Sequence, residues 1–339
     1  MVSTHNYKTK YDSVEEFYSG KSVFITGGSG FVGKALIEKL LYSCPDLKNV
    51  YVLIRRKKNV SGHQRISKIL DSELFSRLKA EKPQNMKKII PIIGNITPNG
   101  LGLAEEDKIL IQNKVSVVFH LAAAIRFNQT LGEAMRNNVE GTRAVIHFAQ
   151  QIKNLKTFIY MSTAFSHTDQ VVLEEIIYPP PMKIEDVYEF LKLNGDDTNR
   201  LKEILKDRPN TYTFTKALTE SLVDEIHGDM STVIIRPSIV VAALKEPFRG
   251  WIDNWMGPAP LIKALAKGYM HAFYGESHYN FAIIPIDYVV NATIVAAAKY
   301  QRSDKVKVYN CCTTSLNPIS LKELCATVRK ESVENNYRK

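Results

Sequence analysis

Four cysteines in 339 residues are too few and too scattered for a disulfide framework. Cys44, Cys311, Cys312 and Cys325 have no C-x-x-C spacing, so they read as reduced thiols of an intracellular protein and no zinc site is expected. No apolar stretch reaches the roughly 18 uncharged residues that a membrane-spanning helix needs. "STVIIRPSIVVAAL" is broken by Arg236 and Pro237, and "IIPIDYVVNATIVAAAKY" carries Asp287. Residues 1–20 have no apolar signal core and are taken as an N-terminal extension. The net charge of +10 comes without a basic run or an aromatic-basic RNA motif, so nucleic acid is not an expected partner. That charge suits phosphorylated cofactors or an acidic membrane surface. Internal repeats and heptads are absent as well, and His120 and His167, outside any cluster, are expected to be structural rather than metal ligands.

What the chain does have is alternation. Apolar runs such as "SVFITG", "NVYVLIRR", "KKIIPIIGN", "KVSVVFHLAAA", "KTFIYMS" and "STVIIRP" alternate with helical patterns. Helices are expected from about Phe31 to Leu41, through "RISKILDSELFSRLKAEKP", near "AEEDKILI", through "GTRAVIHFAQQI" and over "KALTESLVDEI". This succession predicts an α/β fold, a Rossmann-type doubly wound parallel sheet with ligands at the carboxyl ends of its strands. One such domain is expected over 21–339, with a smaller substrate-binding portion built from 166–210 and 237–285. The second of these segments includes "KEPFRGWIDNWMGPAP", which reads as an ordered loop.

"TGGSGFVG" places Gly27, Gly30 and Gly33 between the first strand and a helix. In that context the glycines serve a tight turn, close approach to a pyrophosphate and close packing, with the helix N-terminus facing the anion. Thr26, Ser29, Phe31 and Val32 complete the loop. A carboxylate that would bind a ribose 2′-hydroxyl is missing after the second strand, where Arg55 and Arg56 stand instead. Guanidinium groups there favour a 2′-phosphate, so the expected cofactor is NADPH. Asn95 and Ile96 after the third strand, Ala122 and Ala123 after the fourth, and Lys216 and Pro237 are the remaining expected cofactor contacts.

The spacing Tyr-x-x-x-Lys occurs twice, as Tyr188–Lys192 and Tyr212–Lys216. Both put the two side chains on one helix face, where an ammonium is expected to stabilise a phenolate and lower its pKa. A glycine loop followed by this motif resembles the extended branch of the short-chain dehydrogenase/reductase superfamily. That resemblance implies a Ser or Thr at the end of the fifth strand, here Ser162 and Thr163, and an Asn on the preceding helix, here Asn138. Tyr188 is nearer to Thr163, but "NGDDTNR" soon ends its helix. The helix of Tyr212 runs on to the strand "STVIIRPSIV", so Tyr212 is the expected proton donor, with Lys216 its electrostatic partner. Thr163, with Ser162 sharing or replacing it, would orient the carbonyl oxygen.

Beyond these motifs, "MSTAF", "YTFTKAL", "IIRPSIVVAALKEPFRGWIDNWMGP", "IIPIDYVVNATI", "VYNCCTTSLNPIS" and "VVFHLAAAIRF" resemble the fatty acyl-CoA reductases that form alcohols. The resemblance runs from about Lys21 to the end. It implies reduction of a long-chain acyl-CoA by NADPH to an aldehyde and then to a primary alcohol; the alternative readings are another extended short-chain dehydrogenase/reductase, a carrier-thioester reductase or a nucleotide-sugar epimerase, or a non-catalytic NADP-binding protein. It also implies association with a membrane or lipid-droplet surface, at the endoplasmic reticulum, a peroxisome or a lipid droplet. Phe165, Phe248, Trp251, Trp255 and Met256 are the expected acyl contacts. Two positions depart from the family pattern: Phe165 stands where a Tyr is usual, and Gly94-Asn95 replaces Gly-Asp. Family members usually continue into a further helical domain, so this chain is expected to be the reductase portion.

Overall fold

The computed structural model describes residues 13–197, 199–271, 274–300, 305–313 and 317–335. Its strands are β1 Ser22–Thr26, β2 Asn49–Ile54, β3 Ile89–Ile93, β4 Val115–His120, β5 Thr157–Met161, β6 Thr232–Pro237, β7 Ile239–Val241, β8 Ile283–Pro285 and β9 Lys307–Cys311. Seven of them form one sheet in the order β3-β2-β1-β4-β5-β6-β9, with every pairing parallel. This is the doubly wound order with one strand added at the far edge. The strand order reverses between β1 and β4, where such sheets open a crevice at their carboxyl ends.

Side chains alternate across the sheet as a strand requires. Val23, Ile25, Val50, Val52, Val117, Phe119, Ile159 and Ile235 face one apolar layer. Phe24, Tyr51, Leu53, Val118, Phe158, Tyr160 and Ile234 face the other. The first layer is covered by α2 (Phe31–Ser43) and α12 (Ile286–Lys299), the second by α5 (Glu105–Lys114), α7 (Gly141–Ala149) and α10 (Thr211–Ile226). Burial on both faces explains why the strands read as near-continuous apolar runs. The apolar run "IIPIDYVVNATIVAAAKY" is β8 and α12, packed in the core. No helix among the described residues is long and apolar enough to cross a membrane.

Two local features differ from the sequence-based expectations, and the helix expected around Tyr188 is joined by a second. The helix expected through "RISKILDSELFSRLKAEKP" is four pieces: Gly62–Leu70, Glu73–Phe75, Ser76–Glu81 and Pro83–Lys88. Ser61 caps the first with a reciprocal bond to Gln64, and Pro83, which lacks an N–H, opens the last. Within the supposed N-terminal extension, α1 (Val14–Tyr18) buries Phe17 and Tyr18, and the Tyr18 hydroxyl donates to the Ile294 carbonyl at 3.0 Å. Residues 166–210 carry two helices, α8 (Ile184–Asn194) and α9 (Leu201–Leu205). They bury Val187, Ile204 and Leu205 against Phe214, Leu218 and Leu222 of α10 in a small core of their own.

Candidate active site

A cleft of about 1080 Å³ opens where β1 and β4 diverge. The turn after β1 forms its floor. Gly27 has φ +75°, and a Cβ there would lie 2.6 Å from the Ala122 nitrogen. A Cβ on Gly33 would come within 2.3 Å of the Gly27 carbonyl oxygen, so the helix can start this close to the turn only with glycine. Gly30 is the N-cap of α2 and supplies no side-chain acceptor, and the first turn has no carboxylate. The first-turn N–H groups of α2, at Phe31, Val32 and Gly33, border the cleft with Ser29 and Gly30. Unpaired donors at a helix N-terminus fit a pyrophosphate.

Arg55, Asn95, Ile96, Ala122, Ala123, Lys216 and Pro237 also line this cleft. Arg56 does not: it is exposed outside the wall, because adjacent residues leaving a strand point in opposite directions. Its place beside Arg55 is taken by Arg65, ten residues on, whose guanidinium donates to the Arg55 carbonyl. Spacing along the chain gave no sign of Arg65, since the α3 segment (Gly62–Leu70) must fold back to deliver it. Thr26 is fully buried behind the turn. Its hydroxyl bonds His120 Nδ1 at 2.6 Å and accepts from the Ala122 N–H at 3.3 Å, so it ties the β1 and β4 loops together without reaching the cleft. Burial pushes the His120 pKa down to about 3, with the Lys216 charge adding to the effect, and the ring is a neutral strut between Thr26 and Thr142.

The reactive groups meet where β5 ends and α10 begins. Asn210 caps α10 by accepting from the Thr213 N–H at 2.9 Å, which sets Tyr212 in the first turn, facing the cleft. The Thr163 hydroxyl, which accepts from the Phe165 N–H at 3.2 Å, lies close enough to the Tyr212 phenol to favour its ionised form. Lys216, one turn on, is buried; its amine donates to the Met161 carbonyl at 2.7 Å and the Tyr160 hydroxyl at 3.1 Å. Burial pushes Tyr212 up to about 12, against the effect of the Thr163 hydroxyl, and pushes Lys216 down to about 7, against the charge of Glu220. The expected lowering of the phenol by the ammonium is therefore reversed in this site, because desolvation is the largest effect on both groups.

Ser162 lines the cleft beside Thr163. Its hydroxyl donates to Glu220, two turns beyond Tyr212 on α10, and is not free for a carbonyl oxygen. Glu220 is completely buried and also accepts from Ser166 at 3.1 Å, His167 Nε2 at 3.1 Å and Arg236 Nη2 at 2.6 Å. Burial alone would raise its pKa, but the bonds from His167 and Arg236 outweigh that and hold it below the usual value. Arg236 donates onward to the carbonyls of Glu174 and Ile176 at 2.9 and 2.8 Å, latching the start of the insertion to β6. His167 belongs to this network rather than to the cleft wall.

Asn138 also acts from behind the wall. It lies in a π-helical turn, Met135–Glu140, between α6 (Leu131–Ala134) and α7. Its side chain accepts from the Ala124 N–H at 2.8 Å and donates to the Ala124 carbonyl and Thr215 Oγ1 at 3.2 and 3.0 Å. It thus joins the loop after β4 to the helix of Tyr212, while its neighbour Asn137 borders the cleft.

Of the expected acyl contacts, Phe165 and Met256 line the cleft. Trp251 is buried and stacks on Phe31, with ring centres 5.2 Å apart; Phe248 and Trp255 are exposed outside the wall. The Trp-rich loop is held down rather than open. Its start is gripped by Asp287, which accepts from the Leu244, Lys245 and Glu246 N–H groups, and Asp253 pairs with Lys34 of α2. Among the described residues of 166–210, Thr168, Pro209 and Asn210 reach the cleft. Ile125, Arg126 and Phe127, the end of the "VVFHLAAAIRF" motif after β4, form a lip of the cleft, though the motif gave them no site role.

The fold and this cleft define a dinucleotide-binding α/β protein of the short-chain dehydrogenase/reductase kind. A family model described as "Male sterility protein", of the NAD-binding type, matches residues 25–293, and the chain belongs to that family. Its cofactor is a nicotinamide dinucleotide. Fatty acyl-CoA reductase 1 of Mus musculus is 40% identical over 335 residues, which cover 96% of this chain and 65% of that protein. Fatty acyl-CoA reductase 2 of the same organism is 37% identical over 339 residues, with the same coverage. The chain thus spans about 65% of the length of these curated relatives. Among solved structures, the terminal R domain of the myxalamid PKS-NRPS pathway superposes with a TM-score of 0.66 at 20% identity, covering 92% of this chain and 70% of that one. The reductase domain of a nonribosomal peptide synthetase from Mycobacterium tuberculosis gives 0.63 at 19%, covering 93% and 71%. At those identities the two structures speak for the fold.

Proposed function

We propose that the protein reduces long-chain acyl-CoA with NADPH, releasing CoA and forming an aldehyde and then a primary alcohol. The observation that carries this reading is the Thr163–Tyr212 pair beside buried Lys216, at the mouth of a dinucleotide cleft. The similarity to the two Mus musculus fatty acyl-CoA reductases supports the choice of substrate.

The cofactor supplies hydride to the carbonyl carbon. Thr163 donates a hydrogen bond that orients the carbonyl oxygen, and Tyr212 gives up its proton as negative charge builds there. A phenol with its pKa near 12 is fully protonated at neutral pH, which is the state a donor needs. Lys216, charged below about pH 7, favours the phenolate left behind. In the thioester round the reduced adduct is a hemithioacetal, whose C–S bond breaks to release CoA as its thiol and leave the aldehyde. In the second round the protonated adduct leaves as the alcohol. The same three side chains serve both rounds, because each polarises a carbonyl oxygen.

NADPH is part of the proposal, supported by Arg55 and Arg65 together at the adenosine end of the cleft. Replacing Arg55 with Ala should weaken NADPH far more than NADH in equilibrium titrations; equal losses would refute the 2′-phosphate role. Because substrate and product are lipids, residence at an endoplasmic reticulum, peroxisomal or lipid-droplet surface belongs to the same reading and is testable by cell fractionation. The primary experiment follows NADPH oxidation with a long-chain acyl-CoA and extracts the products. Fatty alcohol with free CoA is the expected result, and NADPH binding without turnover of any thioester would sink the proposal.

A further inference from the structure

Five cationic side chains line the cleft: Lys34, Arg55, Arg65, Arg126 and Lys216. Three of them have internal uses. Lys34 pairs with Asp253, Arg65 donates to the Arg55 carbonyl, and Lys216 is bound to Met161 and Tyr160. Asp253 is the one carboxylate among the lining residues, and it is taken up by Lys34. The guanidinium groups of Arg55 and Arg126 have no hydrogen bond or ion pair among the described residues. The cleft therefore presents two exposed guanidinium groups that no described protein group partners. Arg55, after β2, is accounted for by the cofactor's ribose phosphate.

Arg126 follows β4 instead, on the side of the cleft where the reactive groups sit. The next residue, Phe127, has its ring centre 6.0 Å from that of Tyr212 and remains 63% exposed. Ile125, on the other side, is 44% exposed. An exposed apolar pair flanking a guanidinium without a protein partner, beside the proton donor, matches a ligand whose arm has apolar methylene and methyl groups and whose end is anionic. A fatty aldehyde has no anion to offer it. A coenzyme A thioester has several, all of them phosphate oxygens, and a guanidinium binds phosphate through paired N–H donors.

We propose that Arg126 is a specificity-determining residue that binds a phosphate of the CoA moiety, with Ile125 and Phe127 covering the pantetheine stem. The inference rests on the acyl-CoA reading above and adds to it an asymmetry between the two reduction rounds. The thioester is held at both ends, whereas the aldehyde is held only by its carbonyl and its chain.

The test compares wild type with Arg126→Ala and Arg126→Lys. Steady-state KM is measured for a long-chain acyl-CoA and for the matching free aldehyde, and Kd for free CoA and for NADPH is measured by calorimetry. Arg126→Ala should raise the acyl-CoA KM about tenfold more than the aldehyde KM, the loss of one charge-assisted contact. It should weaken free CoA similarly, with Arg126→Lys intermediate. In wild type the acyl-CoA KM should rise with salt more steeply than in Arg126→Ala. Equal shifts for thioester and aldehyde would overturn the proposal. So would a weakened NADPH Kd with CoA binding intact, which would give Arg126 to the cofactor. Free-CoA binding separates this idea from the functional one: a wild type that binds CoA through Arg126 but reduces no thioester refutes the reaction and leaves the phosphate site standing. A wild type that binds no CoA refutes the site.

Discussion

The chain repeats one five-residue pattern in two environments. Tyr188 and Lys192 lie on α8, a helix of the insertion; Tyr212 and Lys216 open α10, under the sheet's reactive edge. Geometry along the helix is the same in both. Around the first pair, Lys192 is exposed, and partial burial, together with the bond the Tyr188 hydroxyl donates to Glu140 at 2.8 Å, moves the Tyr188 pKa up. Around the second pair, water is excluded from the lysine, a threonine hydroxyl meets the tyrosine, and a cofactor cleft opens in front. The comparison teaches that spacing supplies only proximity. The chemistry comes from desolvation and from the other groups that reach the same point.

The largest effect that would sharpen the contrast is on turnover. Tyr212→Phe should lower kcat by about 10²–10⁴-fold, the usual worth of a positioned acid, with NADPH Kd preserved, whereas Tyr188→Phe should stay within about twofold. Similar losses in both variants, read by NADPH oxidation, would erase the distinction. Next comes the buried carboxylate further along the α10 face. Glu220→Gln leaves Arg236 without its counter-charge in a fully buried position, and chemical denaturation should show a loss of about 3–5 kcal/mol. An unchanged midpoint would mean that the network is dispensable.

A third expectation concerns pH. Lys216 loses its proton as pH rises through about 7, so kcat/KM should decline on the alkaline side from there, and a profile flat to pH 9 would contradict the burial argument. Stability runs the other way. Between about 7 and the ordinary 10.5 the unfolded chain holds a proton on this lysine that the folded chain does not, so this group's contribution to folding stability rises with pH across that window. The smallest effect is the stability of Tyr188→Phe, where loss of one hydrogen bond to a partly exposed carboxylate should cost about 1 kcal/mol or less.

Much of this was legible in the residues. The strand runs, the glycine turn and the order strand, insertion, helix, strand follow from local periodicity and steric need, and the parallel sheet follows from them. Thr163, Tyr212 and Lys216 line one cleft, where their positions in the chain had put them together. What escaped was set by distant parts of the chain. Ser162 looks the equal of Thr163 until Glu220, itself held by Arg236 of β6, arrives from α10 and accepts from its hydroxyl. Trp251 looks like a ligand wall because its loop is rich in Gly and Pro, yet Phe31 offers it a stacking partner in the interior. Arg65 reaches the cleft only because its helix folds back on β2, whereas Arg56, adjacent to Arg55, is turned away.

The π-helical turn at Met135–Glu140 has a consequence for how the molecule is assembled. Such a turn holds an extra residue, so it rotates the helix before it by about 100° relative to the helix after it. Leu131, upstream, and Met135, at the turn's first position, face the core of the inserted helices, and Val145, Ile146 and Phe148, downstream, face the sheet. The turn works as a phase adjuster between two hydrophobic stripes that a straight helix could not serve together. Removing one residue from it would set the insertion and the sheet competing for the same side of one rod, with Asn138 at the point of conflict.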